Sequence, residues 1–370
     1  MKVLHINCNF VTNGLHNVMR AEMEKKGIDV TMYVPTQKEY ESPADNVIIR
    51  KCFKKNHRYF YFLKQNNIMK ALTDSVDVKS FGFVHAFTVF TDGNVAYRLN
   101  KKYGIPYAVA VRETDCHAFI QRRFFLRFVG RRVLRNASKV YFLSEPYKEN
   151  IVNHFMPRKD REMMEAKSEI IPNGINPFWI NNLYTERNLP GDELKIIQVA
   201  QIKPIKNIET TLKAVEKLNE NGCRAKLILV GKKVKDETYN AIKDSKYLDY
   251  RGFMDKEHLI EVYREADIFV MPSLHETFGM VYAEAMTQGL PVVYTRNEGF
   301  DRQFEEGEVG FSVNAHDVDE VVSAITKIKD NYAEMTARIP NLATKFDWDG
   351  IIDKYSEAYE TLACDKCANQ

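Results

Sequence analysis

Short apolar runs alternate with amphipathic stretches along the whole chain. In the first half Val3 to Ile6, Val30 to Val34, Phe83 to Phe87, Ala108 to Val111 and Val140 to Leu143 read as buried strands, with helical patterns filling the gaps. The second half repeats the theme with Lys195 to Val199, Lys226 to Val230, Ile268 to Met271 and Val292 to Tyr294. Helical segments near 208–220, 257–265 and 279–288 separate these strands. Continuous apolar strands between helices indicate parallel sheets covered on both faces, so each half is expected to be a doubly wound α/β domain. Such sheets bind ligands beyond the carboxyl ends of their strands, which makes a cleft between two such domains the default site.

The expected boundaries are residues 1–175 for a first Rossmann-like domain and 176–345 for a second. Residues 346–370 form a C-terminal helix returning to the first. The break is the run Ile170-Ile171-Pro172-Asn173-Gly174-Ile175, and the polar segment from Asn181 to Asp192 reads as a linker. A length of 370 residues agrees with two cores. With 45% hydrophobic and 28% charged residues, collagen-like and disordered classes are excluded. No apolar run is long enough to span a membrane and the first residues turn polar quickly, so an unexported protein is expected.

Six scattered cysteines fit a reducing compartment better than a disulfide framework, and the Cys364/Cys367 pair lacks the partners that would complete a zinc site. The net charge of +3 conceals an asymmetry. Residues 1–180 hold 29 Lys and Arg against 17 Asp and Glu, while the remainder hold 24 against 33. A basic half attracts anionic surfaces, lipid phosphates among them. Two of its stretches, Lys51 to Lys64 and Gln121 to Arg135, mix Lys and Arg with Phe, Tyr and Leu. Each suits a helix lying in a headgroup region or a helix whose apolar face covers the sheet. No helix-turn-helix, RRM or zinc pattern points to nucleic acid.

The chemistry concentrates in Met271-Pro272-Ser273-Leu274-His275-Glu276-Thr277-Phe278-Gly279-Met280-Val281-Tyr282-Ala283-Glu284-Ala285-Met286, which reads as strand, tight turn and helix. Gly279 lets the backbone approach a ligand closely. The amides of Gly279, Met280 and Val281 at the helix start suit phosphate oxygens. Glu276 before this cradle and Glu284 within the helix are carboxylates placed for hydroxyl groups, although either residue type also occurs as a solvated or paired helix carboxylate.

This segment resembles the E-x7-E signature of the retaining family 4 glycosyltransferases, whose architecture is the two-domain GT-B fold. Further matches follow in order at Pro172 to Ile175, Val199 to Lys206, Leu229 to Gly231, Arg251 to Phe253, Ala266 to Ile268 and Gly307 to Phe311. The resemblance implies that Glu276 contacts the donor sugar, that Glu284 holds the ribose and that Lys206 neutralises the diphosphate leaving group. Phe278, Gly231 and Phe253 would border the nucleotide. Three positions depart from the pattern. Gln201 stands where a diphosphate arginine is usual, with Lys203 nearby as a substitute; the glycine pair of the first loop is reduced to Asn13-Gly14; and Arg112 replaces a histidine near the donor sugar. Asp92, His85 and Asp115 are candidate acceptor contacts.

The implied activity is metal-independent, retaining transfer of a sugar from a nucleotide diphosphate sugar, UDP-linked first among the donors. The acceptor would be a glycan or lipid-linked oligosaccharide of cell-surface polysaccharide, in the lipopolysaccharide manner, at the cytoplasmic membrane face. No cofactor is expected beyond the donor itself. Two rivals stay open: another GT-B chemistry, such as a nucleotide-sugar epimerase or a phosphorylase, and a nucleotide-binding subunit without transfer activity.

Overall fold

A computed structural model describes residues 1–12, 14–112 and 114–368, with the side chains of Arg58, His117, Ala118, Gln121 and 363–368 left aside. Asn13 of the first loop, Glu113 and the thiols of Cys364 and Cys367 therefore lie outside the description. The chain divides into two compact units. The first contains residues 1–143, 147–174 and the helix from Trp348 onward; the second is built on Ile175–Asp347 together with Ser144–Pro146.

In the first unit seven parallel strands, β1 (Val3–Ile6), β2 (Val30–Thr36), β3 (Val47–Lys51), β4 (Phe83–Ala86), β5 (Tyr107–Ala110), β6 (Lys139–Phe142) and β7 (Ser168–Ile170), lie in the order β3-β2-β1-β4-β5-β6-β7. The second unit has six, β8 (Leu194–Val199), β9 (Ala225–Val230), β10 (Leu248–Tyr250), β11 (Ile268–Val270), β12 (Val292–Thr295) and β13 (Gly310–Val313), in the order β10-β9-β8-β11-β12-β13. Each sheet reverses direction once, between β1 and β4 and between β8 and β11. Loops leaving the strands on either side of such a reversal diverge and open a crevice.

The nine strands expected from apolar runs are present. Four others, β3, β7, β10 and β13, were not anticipated, and they are the four sheet edges. Their residues are mostly half-buried or exposed, as in β7, where all three are half-buried; no continuous apolar run marks β7, β10 or β13, and in β3 the short run Val47-Ile48-Ile49 gives way at once to Arg50 and Lys51. The expected helix near 279–288 is Met280–Thr287, and that near 257–265 is Lys256–Glu265.

The expected linker at 181–192 has no regular structure but is not loose. Arg187 donates to the carbonyls of Gln288 (2.7 Å), Tyr263 (2.6 Å) and Ala266, and Tyr184 N–H donates to Thr287 O. A guanidinium that satisfies three carbonyls ties this segment to the second unit. In the first unit the C-terminal helix, Trp348–Ala368, sends Tyr359 into the interior, where its hydroxyl lies 2.6 Å from His85 Nδ1 and 3.1 Å from His5 Nε2.

Candidate nucleotide site

The signature segment leaves β11 and the Lys206 turn leaves β8, so the two loops flank the reversal of the second sheet. The turn Pro204–Lys206 ends at Asn207, whose backbone is left-handed (φ 51°). That strained conformation is favoured by Asn and is held by its own side chain. Asn207 Nδ2 donates to the carbonyls of Pro272 (2.8 Å) and Ala315 (2.6 Å). Leu274 N–H donates to Ile205 O (2.9 Å), and Gln198 Nε2 donates to Lys206 O (2.7 Å). Four hydrogen bonds thus fasten the turn and the signature loop to their surroundings. Their result is a close ion pair: Lys206 Nζ lies 2.5 Å from Glu276 Oε2, with both side chains mostly buried.

Glu298, after β12, holds Glu276 from the other side. Its Oε2 accepts the Glu276 N–H at 2.8 Å and its Oε1 lies 3.2 Å from His275 Nδ1. Gly299 N–H returns a bond to Glu276 O at 2.9 Å, and a Cβ on Gly299 would stand 2.0 Å from Thr277 O, so backbone meets backbone there. Sequence reasoning missed Asn207, Gln198 and Glu298, because each acts on the loop through a bond to a carbonyl or amide with no local pattern. The Asn-x-x-Thr spacing of Asn207 and Thr210, bonded at 2.9 Å, was the one available signal.

Gly279 caps the helix Met280–Thr287 with φ 74°. An added Cβ would stand 2.4 Å from the Tyr282 ring and 3.1 Å from Glu276 Cγ, so only glycine admits both side chains here. The first-turn amides that follow, those of Met280 and Val281, have no intrahelical partners and carry the positive end of the helix dipole. Phe278 is corrected from a ligand contact to an anchor. Its buried ring packs against Phe346 and Phe300, at centroid distances of 5.4 and 6.4 Å.

Glu284, one turn further on, is half-buried. Desolvation pushes its carboxyl up to about 7, and a hydrogen bond from Trp179 offsets only part of this. Gln201 and Phe253 are exposed beyond the ends of β8 and β10, and Lys203 is half-buried. Gly231 adopts φ 150° after β9, where a Cβ would overlap Ala200 O at 1.8 Å.

The first unit places its candidates differently. Arg112 is half-buried, donates to Asn173 Oδ1 at 3.1 Å, and has its pKa lowered by desolvation. Gly14 begins a helix with ordinary right-handed backbone (φ −59°) and nothing near its absent side chain, so no backbone demand requires glycine. The three acceptor candidates are corrected to interior residues. His85 is fully buried on β4 against Tyr359. Asp92 is fully buried, accepting from Cys8 N–H and Thr88 Oγ1 and so joining the loop after β1 to the turn after β4. Asp115 accepts from the amides of Val89, Phe90 and Arg112. Burial raises the two carboxyls, to about 7 for Asp92 and about 6 for Asp115. Polar residues at strand ends here satisfy backbone that would otherwise be buried without partners.

Two parallel α/β units, the second with a glycine-capped helix start at its sheet reversal, have the layout of the GT-B class of glycosyltransferase folds. Residues 181–346 match the family described as Glycosyl transferases group 1, and residues 17–177 match Glycosyltransferase Family 4. The chain belongs to the family 4 glycosyltransferases. Among its relatives is the alpha-monoglucosyldiacylglycerol synthase of Acholeplasma laidlawii, 27% identical over an alignment of 270 positions that covers 67% of this chain and 66% of the synthase. The match thus spans just under two thirds of that relative. Sucrose-phosphate synthase from Thermosynechococcus elongatus shares the fold with TM-score 0.75 and 18% identity, over 99% of this chain and all of that one. Anabaena HepE, solved in complex with UDP, does so with TM-score 0.70 and 15% identity, over 98% of this chain and all of that one.

Proposed function

We propose that this protein transfers a sugar from a nucleotide diphosphate sugar to a hydroxyl of a glycan or lipid-borne acceptor, with retention of configuration and without a metal ion. The observation that carries the reading is the Lys206–Glu276 pair held beside the Gly279 helix start at the sheet reversal of the second unit. As the glycosidic bond breaks, negative charge grows on the diphosphate and positive charge on the anomeric carbon. Lys206 and the amides of Met280 and Val281 would stabilise the former, in place of a cation, and Glu276 the latter. Both groups are held by hydrogen bonds to other loops, so little reorganisation is needed at the moment of reaction. Glu284 would receive the ribose hydroxyls. The departing phosphate oxygen would take the acceptor proton as the acceptor enters from the same side.

UDP is the nucleotide bound by Anabaena HepE, which makes UDP and its sugar conjugates the first to test. The Acholeplasma relative is named for a glycolipid product, monoglucosyldiacylglycerol, which favours a lipid-borne acceptor over a soluble sugar. A place at the inner face of a membrane, in cell-surface glycan synthesis, goes with that acceptor and with the surplus of basic residues in the first half. Among the described residues no helix is long and apolar enough to cross a membrane.

Melting curves with UDP, GDP, ADP and their sugars come first, since a ligand of the folded state raises Tm by mass action. Transfer with the stabilising donor, run in EDTA and read by the anomeric configuration of the product, then tests the chemistry. An inverted product or a metal requirement would remove that part of the reading. A second reading rests on Gln201, which stands where the resemblance places a diphosphate arginine: a subunit that binds the nucleotide but transfers nothing. Donor binding with no transfer to membrane extract, restored by Gln201→Arg, would favour it.

A further inference from the structure

The core of the first unit leaves two runs of large apolar side chains outside: Tyr59, Phe60, Phe62 and Leu63 in one, Phe124, Phe125 and Phe128 in the other. Each is between 48% and 72% exposed. Scattered exposed hydrophobics are ordinary, whereas seven in two short runs are not. The helices that carry them have other residues for the core. Tyr61–Ser75 buries Tyr61, Gln65, Ile68, Met69 and Leu72, and Arg127–Asn136 buries Val129, Val133 and Leu134. The apolar face covering the sheet and the exposed phenyl rings are therefore separate sets, although the sequence offered them as alternatives. The rings of Phe62 and Phe128 lie 6.5 Å apart, which brings the two runs together into one patch.

The two segments that carry the patch bear charge of a single sign. No Asp or Glu occurs between Asn46 and Thr73, nor between Cys116 and Ser144, while each of these segments carries seven Lys or Arg. Lys55, Arg122, Arg127 and Arg132 are exposed, and the Arg132 guanidinium lies 5.9 Å from the centre of the Phe128 ring. Phenyl rings bring no hydrogen-bonding groups to a partner and gain most by leaving water for hydrocarbon. Cations beside them meet anionic headgroups. A nucleic-acid surface would use the charge but leave Leu63 and most of the rings without a role.

We propose that this patch docks the protein on a bilayer bearing anionic headgroups, with Phe60, Phe62, Phe124, Phe125 and Phe128 entering the boundary of the acyl chains. The proposal rests on the membrane-face reading above and gives it a surface. Its test needs neither donor nor acceptor, so it fails or stands separately from the transfer reaction.

Full-length protein is sedimented with vesicles of phosphatidylcholine alone or mixed with phosphatidylglycerol. The mixed vesicles should retain it, plain phosphatidylcholine should retain little, and salt should release it. Phe124→Ser/Phe125→Ser/Phe128→Ser should abolish retention with Tm unchanged. Phe60→Ser/Phe62→Ser, on the other run, provides the same test should the triple variant fold poorly. Lys55→Gln/Arg122→Gln should weaken vesicle affinity roughly thirty-fold. Equal retention by both vesicle types, or full retention of both aromatic variants, would overturn the proposal. So would binding to single-stranded RNA that outcompetes the mixed vesicles. Vesicle binding without any nucleotide-induced rise in Tm would instead remove the transfer reading and leave the docking surface standing.

Discussion

Lys206 Nζ lies 2.5 Å from Glu276 Oε2, so the two charges assigned to opposite ends of a donor hold each other across the loop. A diphosphate must draw the lysine away from this carboxylate or share it. Removing the carboxylate therefore releases Lys206 for phosphate. Glu276→Ala is expected to leave UDP affinity unchanged or tighter while lowering turnover on the order of a hundred-fold or more. Lys206→Ala should weaken UDP roughly ten- to hundred-fold, by loss of a charge-assisted hydrogen bond. It should also cost about 1–2 kcal/mol of stability by leaving Glu276 without this counterion in a mostly buried place. Calorimetry and initial rates separate these effects. Equal losses of UDP affinity in the two variants would contradict the division of roles.

Glu298 would act on the reaction through Glu276, whose N–H it accepts. Glu298→Ala leaves that amide without this partner and frees the loop to move. The expected result is a fall in kcat of about ten- to hundred-fold with little change in donor KM, because nucleotide contacts lie elsewhere. Glu298→Gln keeps an oxygen for the amide and should recover most of the loss. A variant that merely destabilised the fold would show no such recovery at matched Tm.

Burial raises the Glu284 carboxyl to about 7, which gives nucleotide binding a pH dependence of definite sign. In the proposed role ribose hydroxyls would donate to the carboxylate, so binding would favour the ionised form and release a proton from the protonated one. UDP affinity should therefore rise as pH increases through about 7 and level off above it. Glu284→Gln should flatten this component and weaken binding, leaving only the titration of UDP itself. The same shift runs against stability. With a folded pKa above the unfolded value, stability is full below the unfolded pKa and is lost as pH rises toward 7. At pH 8 Glu284→Gln is expected to be more stable than the parent protein by up to about 3 kcal/mol, read by denaturant unfolding.

The interior strands could be read from sequence because both faces are covered, which forces runs such as Val3 to Ile6 and Ala108 to Val111. The edge strands could not, since half of each faces solvent and β7, with the sequence Ser-Glu-Ile, has no apolar run at all. Glu276, Gly279 and Glu284 were accessible because one contiguous segment carries them. Their supports were not, because Glu298 lies 22 residues away from the amide it binds and Asn207 lies 65 from the Pro272 carbonyl. The buried carboxylates show the reverse failure. Asp92 and Asp115 stand at strand ends, where ligand contacts also stand, and only burial distinguishes a backbone clamp from a binding group.

His5 and His85 are register partners on neighbouring parallel strands and share the Tyr359 hydroxyl of the C-terminal helix. With His16 nearby they form a buried group held neutral. Desolvation lowers His5 and His16 to about 3 and puts His85 well below its ordinary value. The unfolded chain protonates these rings near pH 6.5, so it binds more protons than the folded one below that pH, and stability falls as pH falls from 6.5 toward 3. At pH 5 each ring costs about 2 kcal/mol relative to neutral pH. Asp92 and Asp115, with folded values of about 7 and 6, act in the opposite direction, losing stability as pH rises from about 4. Glu284, also raised to about 7, acts with them, so three rings and three carboxyls largely offset one another between pH 6.5 and 5. Because Tyr359 joins the helix to both strands, His5→Gln should lower stability at pH 7, where a shared hydrogen bond and ring packing are lost. It should also remove one acid-side penalty, so that the stability of the variant relative to the parent rises by about 1.6 kcal/mol between pH 6.5 and 5. Denaturant midpoints measured across that interval decide the matter: an unchanged slope would mean that His5 is not neutral in the fold.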